Sequence, residues 1–346
     1  MQLFLTKKHK IIIIDKMTKK TTQKIKGIAI LIMIAHHFLV YDFGADFSNA
    51  WVGIGSNFKI CVGIYAVLSG YGYFFAKEKT LTYGLKKSWG LLQEYWISLF
   101  TLFIPFAMVE GGWKLTIKSL VINLFALGPN LNWNAWYVYF FIFCVLVMPF
   151  VSKIFKFHPV INIGMAVGVP FVIEVVIHEL VPNYQEITIL QVMFSCMLYF
   201  GVFLAGYLMA KYNLIKKLQM TWFLGLLCMI GAIVLRVMLR HINMFGFNTD
   251  VFYAPVFVIG AAKFFEGVPV KFTKVFDVLG KYSTGMWFFH AVFFATYVKD
   301  IFQPVMLLVK PRLLMYVWLV VLSLVGAVIY RKILDGIKLL PKLLKG

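Results

Sequence analysis

Apolar runs separated by charged or turn-forming residues recur along the whole chain. Most of these runs approach the roughly 20 residues that a helix needs to cross a lipid bilayer. The pattern predicts an all-α fold, a polytopic membrane bundle of about ten transmembrane helices. The predicted spans are 27–43, 52–76, 89–109, 133–152, 159–178, 188–210, 221–240, 250–264, 283–299 and 313–331.

One segment between the third and fourth spans is more than a simple loop. Residues 114–128 read KLTIKSLVINLFALG, and their apolar residues are spaced as on one face of a helix. The sequence Gly128-Pro129-Asn130, which follows, is typical of a turn. The pattern predicts an amphipathic or re-entrant segment here.

The composition excludes a water-soluble domain. Of 346 residues, 61% are hydrophobic and 14% are charged, whereas soluble domains have about 45–50% and about 25%. A lipid bilayer is therefore an expected partner. The net charge of +20 is divided among short clusters between apolar runs, so we expect no nucleic-acid binding. The four cysteines lie in apolar runs without a CxxC spacing, which favours free thiols over disulfides or metal ligands.

The basic residues predict the orientation of the bundle. If ten spans cross the membrane, 26 of the 34 lysines and arginines lie on the side of the N-terminus. Positively charged loops favour the cytoplasm, so we expect both termini to be cytoplasmic in a multi-pass protein of the plasma or inner membrane. The chain then divides into a basic tail at 1–25, a ten-span membrane domain at 26–332, and a second basic tail at 333–346.

Two ionisable residues of the first span lie on one helix face. Lys26 and His37 are separated by eleven positions, which is about three helical turns, and His37 lies about 16 Å further along the axis. The neighbouring His36 points about 80° away from the Lys26 direction. Ionisable groups within a membrane usually face the bundle interior or a water-filled cavity. Two interpretations remain open: a cavity with a cation at its mouth and a deep imidazole, or a membrane anchor and a helix-packing histidine.

Other polar positions also have a simple structural interpretation. Ser69 and Gly70 suit a contact between closely packed helices, and Trp136 suits an interfacial aromatic belt. Lys59, toward the outer half of the second span, is either a snorkelling cation or a pocket charge.

Two pairs on later spans share a helix face. Ser283 and His290 are two turns apart in the ninth predicted span. Arg236 and Arg240 are one turn apart at the outer end of the seventh, where they either bind an anionic headgroup or extend to the interface.

Four of these elements, in this order, resemble the motifs of the bacterial acyltransferase family 3, integral-membrane enzymes that O-acylate cell-surface glycans. The family has a basic residue, ten residues and a histidine, then a Leu-Ser-Gly sequence, an aromatic pair at the fourth helix, and a late LGxYS element with a histidine. The resemblance extends from about residue 24 to 330. The counterparts here are Lys26 with His37, Leu68-Ser69-Gly70, Trp136-Tyr137, and Leu279-Gly280-Lys281-Tyr282-Ser283 with His290.

The chain also departs from the family pattern. Lys26 stands where the family most often has an arginine, and a lysine keeps the charge without the bidentate geometry. Between the second and third helices the family tends to have two arginines before a proline. This chain has Lys86 and Lys87 there, with Gly90 in place of the second arginine and Glu94 in place of the proline.

The resemblance implies an acyltransferase that moves an acetyl group from a cytoplasmic acyl-CoA donor, acetyl-CoA, to a hydroxyl of a cell-surface or lipid-linked polysaccharide, without a metal. It makes His37 and Lys26 the catalytic residues, with His37 as the general base or, alternatively, as the site of a transient acyl-histidine. The residues expected at the donor are Lys86, Lys87, Ser69 and Gly70. The further pocket candidates are His36, Lys59, Trp136, Ser283 and His290.

A second class of function remains open. A multi-span bundle with embedded cations and histidines is also compatible with a non-catalytic carrier or flippase for a glycan or a lipid-linked precursor. In that case Arg236, Arg240 and Lys59 would line the path.

Overall fold

A bundle of helices forms the protein, which confirms the predicted all-α membrane fold. The computed structural model describes residues 2–5, 11–14, 17–41, 47–128, 130–239 and 248–343. A two-stranded antiparallel ribbon, Gln2–Leu5 paired with Ile11–Ile14, precedes the bundle.

The helices are numbered in chain order. They are α1 (Lys19–Val40), α2 (Asn49–Asn57), α3 (Ile60–Phe74), α4 (Leu81–Ser98), α5 (Ile104–Val109), α6 (Ile117–Leu124), α7 (Tyr137–Val151), α8 (Pro159–Leu180), α9 (Thr188–Lys211), α10 (Leu214–Lys217), α11 (Trp222–Met238), α12 (Asp250–Gly267), α13 (Val270–His290), α14 (Lys299–Met306) and α15 (Arg312–Leu343). A π-helical turn at Leu99–Phe103 joins α4 to α5. The 3₁₀ turns lie at Trp133–Trp136, Ala291–Phe293 and Thr296–Val298.

The helices fall on the predicted spans with different ends. Among the described residues, seven segments are long and apolar enough to cross a membrane, and the shorter Trp222–Met238 is also apolar. The total of ten crossings stays a prediction, as does their orientation. The seven segments are Lys19–Val40, Asn49–Phe74, Leu81–Val109, Trp133–Val151, Pro159–Leu180, Thr188–Lys211 and Arg312–Leu339.

The first helix begins earlier than the hydrophobic pattern indicates. The side chain of Thr18 accepts a hydrogen bond from the backbone N–H of Thr21 (2.9 Å), so α1 begins at Lys19 rather than at residue 27. The basic residues before the apolar run therefore continue the same helix. At the other end of the chain, α15 runs on to Leu343 through residues that the sequence assigns to a tail.

The second predicted span is broken. Its first part is α2 and its second part is α3, and Lys59 lies in the turn between them. The break places the Lys59 side chain at an exposed position, within the apolar segment Asn49–Phe74 that is long enough to cross a membrane. The predicted amphipathic segment at 114–128 contains the short helix α6, which begins with a capping box at Thr116.

Glycines let two pairs of helices approach closely. A side chain at Gly27 would collide with the backbone of Phe276, and one at Gly280 with the backbone of Gln23, so α1 and α13 touch there. Gly70 and Gly206 play the same role between α3 and α9. Small residues thus hold the helices that carry the functional side chains at short, fixed separations.

The pair formed by α1 and α13 runs parallel along most of its length. Near the start of α1, Lys24 Nζ lies 2.5 Å from Thr273 Oγ1. Near its end, His37 Nδ1 lies 2.6 Å from His290 Nε2. The close contact at Gly27 and Gly280 therefore fixes the alignment that brings the two histidines together.

Candidate active site

A cavity of about 680 Å³ lies between α1, α3, α4, α7, α13 and α15. Its volume is within the range of sites that bind small molecules, about 300–1,000 Å³. Its lining changes from exposed lysines near the start of α4 to buried side chains near the end of α13. We call these two ends the mouth and the floor.

The mouth consists of Lys26, Lys86, Lys87, Glu94 and Lys338. These residues come from the first half of α1, from α4 and from the last turns of α15. The Glu94 carboxylate lies 3.8 Å from the guanidinium of Arg331. With four lysines and one paired carboxylate, the mouth is positively charged and suits an anionic ligand.

The floor consists of Met33, Asn134 and Trp287, which are all buried. Asn134 belongs to the 3₁₀ turn before α7, and Trp287 belongs to α13. The Asn134 Nδ2 group donates to the Trp287 carbonyl (3.3 Å), and the Trp287 indole N–H donates to the Asn134 carbonyl (3.2 Å). These reciprocal bonds fix the inner end of the cavity against the end of α13.

A pair of buried histidines lies directly behind the floor. His37 is one helical turn beyond Met33, and its Nδ1 is 2.6 Å from Nε2 of His290. The planes of the two rings differ by 16°. Asn134 Nδ2 lies 3.4 Å from the same Nε2 of His290 and so connects the floor to the pair.

The hydrogen bonds define the tautomers of the neutral pair. The Met286 carbonyl, 3.0 Å from His290 Nδ1, can only accept, so that nitrogen carries the proton. His290 Nε2 is then an acceptor, and His37 must donate to it from Nδ1. This leaves the lone pair of His37 on Nε2, where it can accept a proton. The arrangement is that of a base oriented by a second group.

Aromatic rings surround His37 toward the end of α1. The centroid of its ring lies 5.1 Å from that of Trp133, 5.5 Å from Tyr41 and 6.3 Å from Phe294. The imidazole thus lies between the floor of the cavity on one side and an aromatic cover on the other.

The cavity brings together six of the residues predicted from the sequence, and five lie elsewhere. The six that line it are Lys26, Ser69, Lys86, Lys87, Trp136 and Ser283. Of the others, His37 and His290 form the pair behind the floor.

The remaining three have different surroundings. Gly70 packs against α9. His36 Nδ1 lies 2.8 Å from the Gly55 carbonyl and so connects α1 to α2. Lys59 is exposed in the turn between α2 and α3. Packing, rather than ligand contact, accounts for the positions of Gly70 and His36.

The guanidinium of Arg236 forms hydrogen bonds to residues of two other helices. Its Nε lies 2.6 Å from Oδ1 of the buried Asp250, and its Nη1 donates to the Asn57 carbonyl (2.9 Å). These contacts join α11, α12 and α2 away from the cavity. Arg240, its predicted partner on the same face, lies outside the described residues. The path that a carrier would require through Arg236 and Lys59 therefore does not coincide with the cavity.

The sequence patterns do not predict several residues of the site. Asn134, Trp287 and Lys338 line the cavity without belonging to a pattern that marks them. An amide within an apolar run is itself a signal, because a polar group in a membrane needs a partner. That signal was available for Asn134, whereas Trp287 and Lys338 look like ordinary packing and tail residues.

Thiols and acidic groups do not form a metal centre in the part of the chain that the structure describes. The cysteines are free, as predicted, and Cys61, Cys144 and Cys196 are buried. Within the described ranges, no group of three or more His, Cys, Asp or Glu residues is placed to hold a metal ion.

Comparison with known families gives a match over nearly the whole chain. A family model described as an acyltransferase domain matches residues 25–332, nearly the whole chain. Comparison with curated proteins gives no match, and neither does comparison with solved structures. The matched range contains the floor, the histidine pair and every residue of the mouth except Lys338.

Proposed function

The chain belongs to the acyltransferase family 3 and is a membrane acyltransferase, and from this premise we propose that it transfers an acetyl group from cytoplasmic acetyl-CoA to a hydroxyl of a cell-surface or lipid-linked polysaccharide. One observation carries the proposal. A cavity with four lysines at its exposed mouth ends at a floor behind which a buried histidine is held with a free lone pair. The predicted location is the plasma or inner membrane.

The mouth suits the phosphorylated end of the donor. Coenzyme A carries a pyrophosphate and a 3′-phosphate, and lysine ammonium groups bind phosphates as point charges. From the mouth, the thin pantetheine arm would extend past Ser69 and Tyr137, whose hydroxyl oxygens lie 3.3 Å apart. The thioester would then reach the floor at Met33 and Asn134.

His37 would act as the general base. Its Nε2 takes the proton of the acceptor hydroxyl while that oxygen attacks the thioester carbonyl carbon, forming a tetrahedral intermediate. When the C–S bond breaks, the imidazolium returns the proton to the departing thiolate, so the products are the O-acetyl ester and free coenzyme A. His290 accepts the Nδ1 hydrogen bond throughout and stabilises the imidazolium. A route through an acetylated His37 would use the same nitrogen.

The closed floor requires a small movement. Met33 and Trp287 line the cavity, whereas His37 is buried behind them. Methionine has three rotatable bonds and adapts readily to its surroundings. Rotation of the Met33 side chain would admit the acetyl group to His37. The acceptor hydroxyl would approach from the other side, where Tyr41 and Trp133 lie.

Reconstitution tests the reaction and separates it from transport. The purified chain in liposomes is given acetyl-CoA labelled in the acetyl group, together with extracted surface glycan. We expect label to appear on the glycan as an alkali-labile ester, with release of coenzyme A. Movement of glycan across the liposome membrane without any acetyl chemistry would contradict the proposal and favour the carrier.

The acceptor is identified in cells. Mass spectrometry of the surface polymers, with and without the protein, should show the loss of acetyl groups from one polymer class. Teichoic acid, capsule, exopolysaccharide and peptidoglycan are separated by the same extraction. An unchanged acetyl content in all four would contradict a surface-glycan acceptor.

A further inference from the structure

The last helix brings a cation to the mouth from beyond the matched family range. Arg331, Leu334 and Lys338 are spaced at three, four and seven positions, so they lie on one face of α15. Leu334 is buried against Ile97 and Tyr330, and Arg331 reaches Glu94. This face is therefore held against α4, and Lys338, one turn further, lines the cavity.

The contact with Arg331 changes the charge that a ligand meets. Glu94 interacts electrostatically with Lys26 and Lys338 as well as with Arg331. Arg331 lies 3.8 Å from the Glu94 carboxylate and outside the cavity lining, and it is shared with Asp335 (3.3 Å), so it offsets part of the one negative charge of the mouth. The four lysines then give the mouth an excess of positive charge for an anionic ligand.

The wall beside these lysines leaves open space. Gly90 lines the cavity, and a Cβ atom built on it would have no atom within 4 Å. Gly90 is one turn from Lys86, Lys87 and Glu94, on the same face of α4. Space for a ligand group therefore lies next to Lys86 and Lys87, with Lys338 supplied from α15.

We propose that Lys338 binds the 3′-phosphate of the coenzyme A donor. The inference rests on the proposed function, since it assumes that the thioester lies at the floor. The adenosine 3′-phosphate is the end of coenzyme A furthest from the thioester, and Lys338 is at the exposed end of the cavity. A segment outside the matched range thus completes a binding site that begins on α4.

Paired ligands test this assignment. Binding of coenzyme A and of dephospho-coenzyme A, which lacks only the 3′-phosphate, is measured by calorimetry on the purified full-length chain in detergent. We expect Lys338→Ala to weaken coenzyme A binding about three- to tenfold, as for one lost charge-assisted contact at a partly solvated site. Binding of dephospho-coenzyme A should be unchanged.

Two further variants serve as controls. Lys338→Arg keeps the charge and should keep the preference for coenzyme A, whereas Lys332→Ala removes an exposed lysine of the same helix and should have no effect. Equal losses for both ligands, or no loss, in Lys338→Ala would overturn the assignment and leave the donor site intact. Failure of the unaltered chain to bind either ligand would overturn the assignment together with the proposed donor.

Discussion

The mouth and the floor of the cavity are built in opposite ways. The mouth has long charged side chains from three helices, of which Lys86, Lys87 and Lys338 are exposed and Lys26 and Glu94 are half-buried. At the floor and behind it, Asn134, His37 and His290 are buried and are hydrogen-bonded to one another. The mouth therefore attracts an anionic ligand through the summed charge of several residues, and each residue contributes only part of it. The deeper end depends on the exact positions of its hydrogen-bonded side chains, so no neighbouring residue can substitute for one of them.

The energies involved differ accordingly. An exposed ion pair contributes about 0.2–1 kcal/mol and is weakened by salt. A buried polar group that loses its hydrogen-bond partner costs about 1–3 kcal/mol, and a misplaced catalytic base costs more. Substitutions at the buried end should accordingly have larger effects than substitutions at the mouth.

The largest effect is expected at His37. Replacing it with alanine removes the proposed base, so kcat for acetyl transfer should fall about 10²–10⁴-fold. The measurement is the steady-state rate of glycan acetylation by protein of verified helix content. His178→Ala is the matched control, because His178 is an exposed histidine that contacts only its neighbour Glu179 among the hydrogen bonds of the described chain. If His37→Ala kept full activity, His37 would not be the base, and the expected larger effect of substitutions at the buried end would be contradicted.

A smaller effect on the same step is expected at His290. His290→Ala deletes the acceptor that fixes the His37 tautomer, and we expect a loss of about 10²-fold in kcat with an unchanged KM for acetyl-CoA. His290→Gln offers a carbonyl oxygen in place of Nε2 and should recover part of the activity. A purely structural role would instead lower thermal stability and leave Ala and Gln variants equally impaired.

The alignment of α1 and α13 should be sensitive to one methyl group. Gly280→Ala places a Cβ against the backbone of Gln23, which cannot yield as a side chain would. We expect a destabilisation of about 1–3 kcal/mol, seen as a lower Tm in detergent together with reduced acetyl transfer. Gly72→Ala is the control, since a Cβ there meets no atom within 4 Å. Equal Tm values for the two variants would show that the close contact does not set the alignment.

The smallest effects are expected at the mouth. Lys86→Ala or Lys87→Ala should each raise the KM for acetyl-CoA about two- to fivefold and leave kcat unchanged, because each removes one of several screened charges. Higher salt should reduce the difference from the unaltered protein. Lys153→Ala, at an exposed position outside the cavity, is the control. A change in kcat rather than KM would mean that these lysines do not act through donor binding.

The sequence predicts those features that depend on helical periodicity. Lys26 and His37 share a face of α1, and Ser283 and His290 share a face of α13, because the period is a local property of the chain. The hydrogen bond between His37 and His290 joins positions 253 residues apart and depends on the contact at Gly27 and Gly280. No local pattern contains that information.

The same reasoning explains why Lys59 and Lys338 lie in other positions than the hydropathy pattern indicates. Lys59 lies within a continuous apolar run, yet the helix breaks beside it and leaves it exposed. Lys338 belongs to a basic segment that looks like a tail, yet α15 continues through it to the mouth. In both cases, hydropathy identifies the run, while contacts with other helices decide where the helix begins and ends.

The central claim is that the acetyl group of the donor reaches His37 through the cavity. It is tested most directly by a structure with a bound acetyl-CoA analogue that cannot react because a ketone replaces the thioester. The account predicts that the adenosine lies at Lys86, Lys87 and Lys338. It also predicts that Met33 is rotated aside, with the ketone carbon within about 6 Å of His37 Nε2, close enough for one hydroxyl to lie between them. An analogue whose carbonyl stops at the mouth, or binds elsewhere while His37 stays sealed behind Met33, would contradict it.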